Sequence, residues 1–302
     1  MSSRVRTLIL LGVAALLAAC TATPEAIAPP PRDELTAGAI EHILAGEHRS
    51  TENRARDAYR HPLDTLLFFG IKPEMTVVEV WPGAGGWYTE ILAPLLAERG
   101  KLYAAQFAPA PDNPFVAANR ASFAAKLATS PDIYGKVEVT ELGAGSYEIA
   151  PPGSADMVVT FRNVHNWMNL QIAPEAFAAM YRALKPGGIL GVEEHRGGAD
   201  RAQDPLAASG YVNEQYAIKL IEAAGFTLVA RSEINANPAD TKDYPQGVWT
   251  LPPDYRLGNR ERAKYQAIGE SDRFTLKFVK KGFDPISTPL PTTSASGATP
   301  RR

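Results

Sequence analysis

Two hydrophobic periods take turns along most of this chain. Short runs rich in β-branched and aromatic residues, TVVEV, KLYAAQF, KVEVTEL, ADMVVTF and ILGVEEH, are bounded by turn-formers and predict strands. ADMVVTF is apolar on both faces, as a central parallel strand should be. Between them, WYTEILAPLLAER, PFVAANRASFAAKLATS, PEAFAAMYRALK and YVNEQYAIKLIEAAGF carry the helical period. Pro174 opens the third of these helices, Lys185-Pro186-Gly187-Gly188 turns out of it, and Gly225 stops the fourth. Before the first strand, TAGAIEHILAGEH, STENRARDAYR and a segment opened by Pro62 read as short helices. The run from Thr227 to Ile234 and DRFTLKFVKK supply two more strands, with no helix long enough to cross back between them. That alternation predicts an α/β fold, a mostly parallel seven-stranded sheet with helices on both faces and an antiparallel last strand. The long connection from Asn235 to Ser271 is expected to fold over the rim of a site.

The ends follow different rules. MSSRVR supplies positive charge, LILLGVAALLA is an apolar run too short for a comfortable bilayer span, and Leu17-Ala18-Ala19-Cys20 follows. This layout resembles the signal peptide and lipobox of bacterial lipoproteins, which implies cleavage before Cys20 and lipidation of the only cysteine. The expectation is an exported chain, lipid-anchored to a membrane facing the periplasm; Thr21 after the cysteine leans toward the outer membrane. Residues 21–35 hold Pro24, Pro29, Pro30 and Pro31 and read as a flexible tether. Residues 284–302 are too poor in apolar surface to order themselves. One domain is expected over 36–283, with 36–72 as a helical cap.

A net charge of −2 over 302 residues gives no electrostatic reason to expect nucleic acid. Five histidines and one cysteine spell out no metal spacing. Hydrolase chemistry at a nucleophile elbow is excluded because GxSxG is absent.

Four places carry a family resemblance: VVEVWPGAGGWYTEIL, ADMVVTFRNVHNW, ALKPGGILGVEEH, and IEAAGF followed by DRFTLKF. Together they resemble the Rossmann-like class I S-adenosylmethionine-dependent methyltransferases, and most closely a bacterial group with an RDxYRHP-type segment, here Arg56 to Pro62. The resemblance implies S-adenosylmethionine as cofactor, a small-molecule acceptor, and a cofactor site built from Glu79, Trp81, Gly83, Gly85, Gly86, Gln106 and Asn163. Gly83, Gly85 and Gly86 would let backbone approach the ligand at a helix start. The pattern departs from the family at two positions. Trp81 stands at the first glycine, and Gln106 stands where an acid usually holds both ribose hydroxyls. Catalytic candidates must project from strand ends. His165 and Asn163 follow the fourth strand and His195 closes the fifth, and either histidine is a candidate base near neutral pH. Arg54, Arg56, Asp57, Arg60 and His61 are candidates for a lid or an anion site, or for a solvated ion-pair network. Since S-adenosylmethionine is made in the cytosol, a non-catalytic binding lipoprotein on the same fold is the alternative.

Overall fold

The computed structural model describes residues 33–143 and 145–282. The expected signal segment, Cys20, most of the tether and the 284–302 tail lie outside the described residues. Among the described residues no helix is long and apolar enough to cross a membrane.

Seven strands make one sheet: β1 (Thr76–Val80), β2 (Lys101–Phe107), β3 (Glu138–Leu142), β4 (Ala155–Phe161), β5 (Leu184–His195), β6 (Phe226–Ser232) and β7 (Arg273–Lys280). Their order is β3-β2-β1-β4-β5-β7-β6. β1 to β5 are parallel to one another, and β7 alone is reversed, pairing antiparallel with both β5 and β6. Four helices precede the sheet: α1 (Glu34–Leu44), α2 (Thr51–Arg54), α3 (Asp57–Arg60) and α4 (Pro62–Phe69). α5 (Thr89–Leu96) joins β1 to β2, and α6 (Pro114–Ala128) with α7 (Pro131–Tyr134) joins β2 to β3. α8 (Val164–Asn169) and α9 (Ala173–Ala183) join β4 to β5, α10 (Glu214–Ala223) joins β5 to β6, and α11 (Arg262–Ile268) lies between β6 and β7.

Period-two alternation sends each central strand's side chains to two cores. Val78, Val80 and Val158 enter one with Phe177, Met180 and Ile221; Val77, Met157, Val159 and Phe161 enter the other with Ile40, Leu66, Phe69, Ile91 and Leu92. Each such side chain, fully buried, stabilises the fold by about 1.5–3 kcal/mol. Gly191 on β5 has a packing reason. A Cβ there would come within 2.7 Å of the Phe69 ring, so only glycine lets α4 lie flat on the strand.

Two local expectations change. STENRARDAYR is not one helix but two single turns, α2 and α3. Ser50 caps the first by accepting from Asn53 N, and side-chain ion pairs hold both: Arg49 to Asp57 and Arg56 to Glu270. Strand β5 starts directly after α9, with Lys185 to Gly188 as an irregularity in its pairing with β4 rather than a separate turn.

Candidate functional site

Strand order reverses between β1 and β4, which lead to opposite edges of the sheet. Open α/β sheets hold ligands at the carboxyl ends of such a pair. Both strands end in the same unusual way. Trp81 N donates to Ala105 O and Arg162 N donates to Glu193 O, extending each ladder by one residue. Each of these residues then turns left-handed, Trp81 at φ 51° and Arg162 at φ 61°. Non-glycine residues in this region cost on the order of 1 kcal/mol, and such strain gathers at sites where direction matters more than comfort.

After Trp81 the chain runs through Gly83 (φ 75°) and Gly86 (φ 55°) to α5. A Cβ on Gly86 would press on Phe123 and Thr89 at 3.0 Å, whereas the space beside Gly83 and Gly85 is open. Glu79 spans the turn: its Oε2 accepts from Thr89 Oγ1 at 2.6 Å. Burial pushes its carboxyl up to about 7, opposed by the hydrogen bonds from Thr89. The Asn163 amide clips the same turn to β4, donating to Val80 O (3.0 Å), Trp81 O (3.4 Å) and Thr160 Oγ1 (3.2 Å). Glu79 Oε2 and Asn163 Nδ2 therefore shape the loop, each holding the turn through hydrogen bonds within the protein.

Beside this turn lies a cavity of about 450 Å³. Trp81, Phe107, Leu142, Phe115, Val116 and Ile172 give it apolar walls, with Asn113, Asn166 and Asn169 as polar points. The Trp81 indole packs tilted against Phe107 at 4.2 Å between ring centres and edge-on to Trp167 at 5.8 Å, and donates to Leu142 O at 2.9 Å. Gln106 does not reach this wall. It is buried, its Oε1 accepts from Phe107 N, and its Nε2 has no partner among the described residues.

A second cavity of about 460 Å³ sits over β4 and β5, and Phe115 and Asn166 line both. Arg56, Arg60, Arg162, His165, His195 and Glu270 supply its charge, and Trp249, Pro252 and Pro253 from the 235–271 connection form its rim. His165 Nδ1 lies 2.9 Å from Glu194 Oε1. A carboxylate oxygen only accepts, so Nδ1 is the donor in this pair and Nε2 is the ring nitrogen that Glu194 does not engage. His195 lies 5.3 Å away, ring to ring, with Nδ1 against Ser271 Oγ. Burial, then His165 and Arg162, hold the His195 imidazole well below the usual histidine range, so it stays neutral.

His165, Glu194 and His195 each bring one ligand-type atom within 4.8 Å of the others, a spacing a divalent ion can bridge. Their surroundings oppose a cation. Both Glu194 oxygens already accept from N–H groups, those of His165 Nδ1, His165 N and His195 N. Arginines stand around the pair.

Those arginines form a buried network that composition does not reveal. Glu270 accepts from Arg56 Nε (2.7 Å), Arg60 Nε (3.3 Å) and Arg273 (3.3 Å). Glu193 accepts from Arg273 (3.0 Å), Arg162 (3.2 Å) and the Tyr88 hydroxyl (3.4 Å). Phe107, Phe115, Trp249, Glu270, Ser271 and Arg273 are site residues that sequence reasoning missed. The connection from Asn235 to Ser271 was itself legible as a rim segment, but its contacts are not.

The remaining candidates disperse. Arg54 is exposed and lines neither cavity, Asp57 pairs with Arg49, and His61 faces Asn235 at 3.4 Å. Trp87 and Tyr88 belong to the core, Tyr88 stacked on Phe161 at 3.4 Å and Trp87 donating to Asn53 O. Trp167 is fully buried.

No protein-family model and no curated protein matches the sequence. Solved structures do. The chain is similar to the cyclase SpnF at a TM-score of 0.51, with 15% identity over 82% of this chain and 93% of that one. A SAM-dependent methyltransferase from Aquifex aeolicus aligns at 0.49, with 17% identity over 81% and 98% of the two chains. Phosphoethanolamine N-methyltransferase 2 from Haemonchus contortus, in complex with S-adenosyl-L-methionine, aligns at 0.48, with 16% identity over 81% and 56%. Strand order, the reversed β7 and the SpnF likeness establish the class I methyltransferase fold. At this identity they establish the fold alone.

Proposed function

We propose that the chain is an S-adenosylmethionine-dependent methyltransferase acting on a small-molecule acceptor. One observation carries this reading: an apolar cavity beside the glycine turn borders, at Phe115 and Asn166, a second cavity that holds a histidine oriented by a buried carboxylate. The residues fit the cofactor. Trp81, Phe107 and Phe115 offer aromatic faces to a purine, and the open space beside Gly83 and Gly85 admits its amino-acid part. The ribose has no carboxylate here, so its diol is left to neutral groups such as Asn113. When bound, the group supplies a methyl on a sulfonium that leaves as a neutral thioether. The protein's part is to orient the acceptor and to hold its proton. His165 Nε2, positioned by Glu194, takes that proton, and neutral His195 stands beside it. Trp249, Pro252 and Pro253 cover the rim against water.

Calorimetric titration of the purified protein with S-adenosylmethionine and S-adenosylhomocysteine tests this. Saturable heat at micromolar ligand supports it. No heat up to millimolar ligand favours the non-catalytic binding protein, for which the inward-turned Gln106 and the intruding Trp81 indole would be the reasons. We also propose export and lipid anchoring through Cys20 at a periplasm-facing membrane, on the strength of MSSRVR and LAAC. Mass measurement of the mature N-terminus checks that; an unmodified thiol would contradict it.

A further inference from the structure

The charged cavity holds more positive charge than its own carboxylates answer. Four guanidiniums, Arg56, Arg60, Arg162 and Arg273, gather on two carboxylates, Glu193 and Glu270. Asp254 and Arg256 also line the cavity and offset each other in charge, while Glu194 already accepts from His165 and two backbone amides. Its charge goes to holding the histidine. Burial would raise Glu270, yet Arg60, Arg273 and Arg56 hold it well below the usual carboxylate range. Arg60 in turn is pushed well below the usual guanidinium range, by burial and then by Arg162. The Glu270 shift is what neighbouring cations produce; the Arg60 shift comes first from burial, with Arg162 adding to it.

The hydrogen bonds point the same way. Arg56 and Arg60 reach Glu270 through Nε alone, and Arg162 reaches Glu193 through one terminal nitrogen. Among the described residues, no side-chain hydrogen bond uses the terminal nitrogens of Arg56 or Arg60, although both residues line the cavity. Guanidinium forks with free N–H groups match planar or tetrahedral oxyanions. Next to them, Trp249 and two prolines offer an apolar surface for the body of a molecule.

We infer that the acceptor carries an oxyanion, a carboxylate or a phosphate, which Arg60 and Arg162 grip while His165 faces the atom to be methylated. As a statement about the acceptor, this rests on the methyltransferase reading; the oxyanion pocket itself rests only on the charge geometry. One other anion competes for the same arginines, the carboxylate of the cofactor's own amino-acid part.

The test titrates the purified protein with inorganic phosphate and with acetate, each with and without saturating S-adenosylhomocysteine. The expected result is saturable binding of at least one anion that persists with S-adenosylhomocysteine present. Binding should weaken about tenfold or more in Arg60→Met and in Arg162→Met, because a charge-assisted hydrogen bond is lost. A purely structural arginine would destabilise the fold when replaced. Glu270 keeps two partners in the first variant and Glu193 keeps Arg273 in the second. Each variant still loses a buried pair, and Arg60 also leaves the Trp87 ring at 4.7 Å. Both should therefore melt earlier, and the anion affinity of the folded variant is the readout that separates the two roles. Phosphate that binds while S-adenosylhomocysteine does not would uphold the pocket and sink the methyltransferase reading. The inference is overturned if neither anion binds, if S-adenosylhomocysteine displaces both, or if the variants melt early with anion affinity intact.

Discussion

The two cavities at the carboxyl edge of the sheet have nearly the same volume and opposite chemistry. Over β1 and β2 the walls are Trp81, Phe107, Leu142 and Phe115; over β4 and β5 they are arginines, histidines and Glu270. The backbone does not make the difference. Both β1 and β4 add one ladder bond and then turn through a left-handed residue, Trp81 in one case and Arg162 in the other. One fold geometry thus presents an apolar slot and a charged receptacle side by side, with Trp81 among the walls of the first and Arg162 among those of the second.

Removing an acid from the charged half should have the largest effect. Glu193→Gln leaves Arg162 and Arg273 facing each other with only Glu270 to answer them, and should cost about 3–5 kcal/mol, measured by urea unfolding. Added salt should restore part of it, since anions then screen the arginines. In the apolar half, Trp81→Ala should cost about 3 kcal/mol for the lost indole packing. Trp81→Gly should recover about 1 kcal/mol of that, because glycine takes φ 51° without strain. Equal stabilities for the two variants would show that the left-handed turn carries no penalty.

Glu79 gives a pH-dependent effect no larger than that. Its carboxyl sits at about 7 in the fold against an ordinary 4.5, so between those values the folded chain keeps a proton that the unfolded chain has lost. Stability therefore falls as pH rises through that window, by up to about 3 kcal/mol, and the loss is complete above it. Glu79→Gln retains a partner for Thr89 and should flatten the melting-temperature profile from pH 4.5 to 7. Asn166, on the seam between the cavities, makes one long hydrogen bond to Arg162 O at 3.4 Å. Asn166→Ala should cost under about 1 kcal/mol of stability, a change visible only as a shift of a few degrees or less in melting temperature.

Much of this was readable in the sequence because it is local. TVVEV and ADMVVTF announce doubly buried strands by composition, and the missing crossover helix before DRFTLKFVKK announces a reversed last strand. Trp81 stands where the resemblance puts a glycine, and the structure gives it the left-handed backbone that a glycine would take without strain. What stayed hidden is long-range or directional. The Arg56–Glu270 pair joins residues 214 positions apart, and no spacing rule links them. Gln106 ends a strand at the expected place, yet its side chain turns back onto Phe107 N, and a letter does not encode a rotamer. Trp87 and Tyr88 serve the core, which is the more frequent place for large aromatics at a helix start. His165 was visible as a strand-end histidine; its partner Glu194, which decides which nitrogen is free, was visible only as a neighbour of His195.

The most direct measurement is a crystal structure of the protein soaked with S-adenosylhomocysteine. The expected density places the purine among Trp81, Phe107 and Phe115, with the amino-acid end beside Gly83 and the charged cavity left open for an acceptor. An empty apolar cavity at saturating ligand, or a ligand whose carboxylate fills the Arg60 and Arg162 forks, would contradict the division of one site into a cofactor half and an acceptor half.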